Sequence, residues 1–298
     1  MFKDVKLGIA PIGWTNDDLP ELGGNIPFEQ CIAEMAKAGF TGSEVGNKYP
    51  KDPEILKSKL QPYGLQIASA WLSVYFTEDK REEESLRTFT AHASFLNALG
   101  AKVIVICECG HCVQGKKLPI LGKNKPVFND NQWQKLKKGL EQIGKQAKDL
   151  GMKIVYHHHM GTGIQTRKEI DRLMEITDPN LVYLLADTGH ITFAGDNALS
   201  LVKDYVARIK HVHLKDIRAH ILHLVKEKKL SFLDAVKAGV FTVPGDGCID
   251  YRPIFKCLDE NNYTGWFVVE AEQDPAKAEP LLYAQKAYQY IIQNTNLK

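Results

Sequence analysis

Short apolar runs rich in β-forming residues alternate along the whole chain with longer stretches of helical period. Lys6–Pro11, Gly42–Val45, Leu65–Trp71 and Lys102–Cys107 read as the first four strands. The fifth is the apolar run from Lys153 that continues into His157, His158 and His159. Leu181–Asp187, Ile209–His213 and Trp266–Glu270 follow as the sixth, seventh and eighth. The segments between them predict helices at Pro27–Ala38, 53–62, Asp79–Leu99, 130–150, Thr166–Ile176, 197–206, Asp250–Asn261 and Ala276–Ile292. Asp130 is expected to cap its helix and Gly151 to stop it, and Thr166 with Glu169 fits a capping box. Residues 14–25 form a polar, turn-rich loop, and residues 108–129 a long loop with Gly, Pro and Lys throughout. Residues 217–247 are an insertion with a helical stretch followed by Thr242–Gly247. Strands alternating with helices imply a parallel sheet. Eight such units, each of roughly 30–40 residues, favour a closed (β/α)8 TIM barrel of class α/β, with the insertion between strands seven and eight. No composition break separates a second domain, so residues 1–298 are expected to form one domain.

The carboxyl ends of barrel strands converge on one face, where such folds place their chemistry. Here those ends carry ionisable residues. The second strand carries Glu44, and the third ends near Trp71. The fifth ends in His157–His159, the sixth in Asp187-Thr-Gly-His190, the seventh in His211-Val-His213-Leu-Lys215, and the eighth in Glu270-Ala-Glu272. Side chains alternate along a strand, so His157 and His159 should face one way and His158 the other. Taken singly, Asp187 is equally compatible with capping a loop, His213 with sitting in a core and Glu270 with pairing with an arginine. Their convergence from neighbouring strands, where a buried carboxylate needs a partner, favours a divalent-metal site of mixed nitrogen and oxygen ligands.

Bulk properties narrow the classes. The chain has 298 residues, 44% of them hydrophobic and 25% charged, as expected for a soluble globular protein. Its 38 basic and 36 acidic residues give a net charge of +2, which provides no basic surface for nucleic acid or an anionic membrane. There is no apolar run of membrane-spanning length and no signal-like start, so a cytoplasmic location is expected. The six cysteines are then expected to be reduced. Cys107-Glu-Cys-Gly-His-Cys112 has metal-ligand residue types but lacks the second Cys-x-x-Cys pair of a structural zinc site, and reads as a thiol-rich loop.

Asp187-Thr-Gly-His190, His213-Leu-Lys-Asp216 and Val268-Val-Glu270 resemble the xylose-isomerase-like TIM barrel superfamily. Gly8–Trp14, Thr41–Gly46, Tyr156–Gly163, Leu185–His190, His211–Asp216, Phe241–Asp250 and Val269–Pro275 carry a closer resemblance to its inosose dehydratases, across nearly the whole chain. The resemblance implies a hydro-lyase of bacterial inositol catabolism that removes water from 2-keto-myo-inositol, a cyclic polyol ketone, to give a trihydroxycyclohexane-1,2-dione. Carried over by position, its metal ligands are His157, Asp187, His213 and Glu270. Epimerases of the superfamily place a glutamate where His157 stands, which disfavours a two-glutamate epimerisation here, and His159 competes with His157 as ligand. Proton transfer falls to His159 or His190, with Lys215 near the developing oxyanion; Glu44, Trp71 and Glu272 would position the ring. The resemblance favours manganese or cobalt, leaves zinc open, and suggests a glutathione requirement that no residue locates. A homo-oligomer is compatible with the sequence. The rival readings are a sugar or inosose isomerase or epimerase on the same scaffold, an endonuclease IV-like enzyme, which the charge balance disfavours, and a sugar-binding protein without turnover.

Overall fold

The computed structural model describes residues 2–297; the terminal residues of the expected 1–298 span lie outside the described residues. Nine strands form the main sheet: β1 (Val5–Ile9), β2 (Gly42–Glu44), β3 (Gln66–Ser69), β4 (Trp71–Val74), β5 (Val103–Glu108), β6 (Lys153–His157), β7 (Val182–Asp187), β8 (Ile209–Leu214) and, after the insertion, β11 (Gly265–Val269). Their order is β3-β2-β1-β11-β8-β7-β6-β5-β4, and neighbours are parallel. β3 and β4 stand at opposite ends of that order, yet only Ala70 separates them in the chain. The third barrel strand is therefore one extended stretch whose first half pairs with β2 and whose second half pairs with β5. That stretch closes the cylinder, as the (β/α)8 reading requires. It runs past the expected end at Trp71 to Val74. The apolar pattern hid this, because Trp71 is partly exposed and Ser73 is polar.

Covering helices are α1 (Phe28–Ala38), α2 (Pro53–Leu60), α3 (Glu82–Ala98), α4 (Asp130–Asp149), α5 (Arg167–Ile176), α6 (Thr188–Ala194) and α7 (Ala198–Tyr205), then α10 (Arg252–Glu260) and α11 (Pro280–Thr295). Asn129, rather than Asp130, caps α4. Its side chain accepts from Gln132 N at 2.9 Å while Gln132 returns a bond to Asn129 N at 3.0 Å. The expected box on α5 is present, with Glu169 Oε2 accepting from Thr166 N at 2.9 Å. The last helix starts at Pro280, later than expected, because Glu279 caps it and proline suits its first turn. The seven-residue α6 was not anticipated: Thr188 and Gly189 are poor helix formers, but Asp187 caps them by accepting from His190 N at 2.7 Å.

The insertion holds two short antiparallel strands, β9 (Asp216–Ile217) and β10 (Phe241–Thr242), around helices α8 (Ala219–Lys228) and α9 (Phe232–Ala238). It packs against loop 108–129 through a cluster of its own that includes Val113, Ile120, Met160, Phe193, Phe232 and Phe241. Ile120 N donates to Leu230 O at 3.0 Å and Val113 N to Gly161 O at 2.9 Å. The two segments thus form a joined roof at the carboxyl ends of the strands.

The principal core lies between cylinder and helices, where residues such as Ile104, Ile154 and Leu184 meet Leu136, Ile143 and Leu173. Small separate clusters line the inside of the barrel: Val103, Val105, Val155 and Leu185 on one side, Ala68 and Val268 on the other. Following these inward rows two residues at a time leads from Val155 to His157, from Leu185 to Asp187 and from Val268 to Glu270. The interior is apolar at its floor and ionisable at its top.

Candidate active site

A cavity of about 440 Å³ opens at this top, a size in the range of small-molecule sites. His157, His159, His213, Glu44, Glu270, Glu272 and Trp71 line it. Asp187, His190 and Lys215, all fully buried, lie directly beneath the lining. Every residue singled out from the sequence is thus at one place, in two tiers. The alternation held: His157 and His159 face the cavity, while His158 turns away and accepts from Asp187 N at 3.3 Å.

Potential ligand atoms gather in three groups within 4.8 Å: His157 with Asp187 and His213; His159 with His190 and Glu272; and Glu44 with His211 and His213. The first contains three of the four expected ligands. His157 Nε2 is 3.1 Å and His213 Nδ1 3.5 Å from the same oxygen, Asp187 Oδ2. Glu270 belongs to none of the groups; its Oε2 sits 2.5 Å from Lys215 Nζ. Glu44 spends one oxygen on protein donors. Its Oε1 takes His211 Nε2 at 3.0 Å, His213 Nε2 at 3.1 Å and the Ser69 hydroxyl. His211, which the sequence reading named at the end of the seventh strand but gave no role, belongs to the site, two positions before His213 on the same face.

Burial and charge set the protonation states. Burial drives His157 down to about 3, so its ring is neutral, the ligand form. Burial also holds His159 well below its ordinary value, reinforced by His157 and Lys215. His159 Nδ1 lies 2.9 Å from Met160 O. A carbonyl only accepts, so Nδ1 carries the hydrogen and Nε2 keeps a lone pair. Burial works against charge on His213 as well, but Glu44, Asp187 and Glu270 outweigh it and raise it to about 10. Asp187 is held well below the carboxylate range against burial, mainly by Lys215 and His190. Burial pushes Glu272 up to about 8 despite Lys215 at 3.0 Å. Three carboxylates share that one ammonium, so the group retains a proton at neutral pH.

The residues fit a divalent cation. His157 Nδ1 is buried and makes no hydrogen bond, while His213 Nδ1 and Glu270 Oε2 meet only the charged groups of Asp187 and Lys215, and all three are ligand-type atoms. Trp71, 36% exposed at the mouth, meets His157 and His159 edge-on at 5.2 and 5.5 Å. On the far side Phe232 and Phe241 of the insertion pack against His190 at 6.0 and 5.2 Å. The thiol-rich loop also contributes: Cys109 and Cys112 line the cavity as free thiols. No described helix is long and apolar enough to cross a membrane.

Known proteins resemble this chain at two levels, in fold and in sequence. Among solved structures, IOLI protein with a bound zinc atom has a TM-score of 0.70 at 16% identity, covering 98% of each chain. The probable 3-DHS dehydratase AsbF of Bacillus anthracis has a TM-score of 0.72 at 16% identity, covering 96% of this chain and 98% of its own. At that identity they share the fold. In sequence, the inosose dehydratase of Geobacillus thermodenitrificans is 59% identical over the full length of both chains, and that of Clostridium tetani is 58% identical over 96% of each. The family model described as xylose isomerase-like TIM barrel matches residues 32–293. The chain belongs to the inosose dehydratase family of xylose isomerase-like TIM barrels.

Proposed function

We propose that this chain is a divalent-metal-dependent hydro-lyase that removes water from 2-keto-myo-inositol to give a trihydroxycyclohexane-1,2-dione. The observation that carries this reading is His159: a neutral imidazole in the cavity wall with a free lone pair, beside the buried ligand-type group of His157, Asp187 and His213. Dehydration next to a ketone requires removal of the α-proton, stabilisation of the enolate and protonation of the departing β-hydroxyl. His157, Asp187 and His213 would hold the ion, with Glu270 as the fourth ligand once it turns from Lys215. A bound divalent ion supplies Lewis-acid stabilisation of negative charge on the substrate oxygen. Manganese or cobalt suits this reading, with zinc compatible with the same donors.

His159 Nε2 takes the α-proton and then gives it to the departing β-hydroxyl, which leaves as water, so the imidazole returns to its neutral form. Glu272, protonated at neutral pH, binds a ring hydroxyl as donor, and the second oxygen of Glu44 accepts from another. Trp71 packs against the apolar face of the ring. His190 and Lys215 act through others, as positioning residues beneath the wall. His190 packs behind His159, its ring tilted by 47° with centroids 3.8 Å apart. Lys215 orients Glu270 and Glu272.

The test is a turnover assay on 2-keto-myo-inositol with metal-stripped protein, then with manganese, cobalt or zinc restored, each with and without glutathione. Metal-dependent loss of one water by mass spectrometry is expected. A product of unchanged mass would transfer the site to the isomerase class. His159→Ala, with metal retained, should lower kcat by at least 10²-fold; unchanged kcat removes it as the base.

A further inference from the structure

Lys215 is fully buried, with its ammonium group surrounded by atoms of the kind that bind metal ions. Nζ is 2.9 Å from His190 Nε2, 2.5 Å from Glu270 Oε2, 3.0 Å from Glu272 Oε2 and 3.6 Å from Asp187 Oδ2. One imidazole nitrogen and three carboxylate oxygens around a point cation make a mixed nitrogen–oxygen ligand sphere. Two of those residues, His190 and Glu272, belong with His159 to a ligand group that shares no member with His157, Asp187 and His213. Asp187 lies on the border, touching His157 on one side and Lys215 on the other.

The surroundings are built to bring a lysine here. A Cβ on Gly189 would stand 2.4 Å from Lys215 Cγ, so the glycine of Asp187-Thr-Gly-His190 leaves room for the stem. The ammonium faces the Phe241 ring at 4.6 Å, where the insertion closes the far side with an apolar wall. Buried carboxylates this close need a compensating cation, and among the described residues Lys215 is the side chain that reaches all three.

We propose that the barrel has two adjacent cation positions and that Lys215 fills the second with its own ammonium. The chain therefore takes one divalent ion, and removing the lysine charge converts the site to a two-ion centre held by His159, His190 and Glu272 alongside the first. This rests on the reading of His157, Asp187 and His213 as the first position. Sites with two ions about 3.5–4 Å apart are common in hydrolytic enzymes. On this proposal a covalently attached charge serves in that place, unable to exchange with solvent ions or to lend a bound water as a nucleophile.

The experiment uses manganese alone as probe on the full chain. Metal-stripped wild type, Lys215→Ala and Lys215→Met are loaded, freed of excess ion by gel filtration, and read by elemental analysis and electron paramagnetic resonance. Methionine retains an apolar stem against Gly189 and Phe241. Expected are one manganese per wild-type chain with an isolated-ion spectrum, and two per variant chain with spin coupling. A further His190→Ala change in the Lys215→Ala background should return the count to one. Wild type binding no ion would defeat the cation-site reading itself. Wild type binding one ion and both folded variants also binding one would defeat only the present proposal, as would two ions in wild type. Variants that fold only with manganese, shown by circular dichroism, agree with an ion replacing the ammonium. Variants that stay unfolded at millimolar manganese count against it.

Discussion

Among single residues, Glu108 at the end of β5 separates support from chemistry. It is fully buried and binds two walls of the cavity together. Phe76 N donates to its Oε2 at 2.8 Å, and Gly110 N and the Thr77 hydroxyl to its Oε1 at 2.8 and 2.9 Å. The loops it ties carry Tyr75, Cys109 and Cys112 of the cavity lining. Glu108→Ala strands two buried N–H groups and should cost about 3 kcal/mol in urea unfolding. With substrate, KM should rise more than kcat falls, since the base His159 is untouched; a fall in kcat alone would contradict this. Burial pushes this carboxyl up to about 7, whereas the unfolded chain titrates near its ordinary value of about 4.3. Between those values the folded state binds the extra proton. Glu108 therefore contributes stability that is present at acid pH, falls as pH rises through that window, and is lost above about pH 7. The stability difference between wild type and variant, measured from pH 4.5 to 8, should shrink with rising pH; a difference that grows would reverse the sign.

Single elements show what the sequence made legible and what it concealed. Asn129 and Asp130 are adjacent cap-forming residues, and local pattern cannot choose between them. In the structure Asn129 holds the bond, while Asp130, its side chain 92% exposed, makes an ion pair with Arg172. Asn129→Ala should destabilise by about 1 kcal/mol, and Asp130→Ala by less than about 0.5 kcal/mol. Thermal unfolding checks both, and equal losses would restore Asp130 as the cap. Strand periodicity was enough to put His157 and His159 on one side, and inward rows brought Asp187 to His213. It could not reveal that Glu44 would meet His211, because that pair is 167 residues apart and depends on barrel closure. Nor could it reveal α6, where a side-chain cap and tertiary packing override weak propensity. Lys215 was legible as inward-facing but not as buried, since its depth depends on Gly189 and the roof that the insertion supplies.

Across the whole molecule, the polar top is a net cost to folding until its charges are matched. His213 and Lys215 do part of that matching, and on the proposed reading a divalent ion completes it. An ion at one hundred times its dissociation constant should stabilise the native state by about 2.7 kcal/mol. Chelation should then lower the melting temperature by several degrees, and manganese should restore it; calorimetry showing no shift would separate the ion from the fold. The same comparison in His157→Ala should show a smaller shift, because one donor is gone.

The passage of the chain through Ala70 bears on how such a site keeps its geometry. The same stretch forms both ends of the sheet order, so β3 cannot slide against β2 without dragging β4 along β5. A one-residue slip would send every inward side chain outward. The cylinder thus behaves as a hoop riveted at one point, in which no single strand is free to change its stagger. Donors from four separate strands hold a common height above the apolar floor because the circumference allows them only one setting.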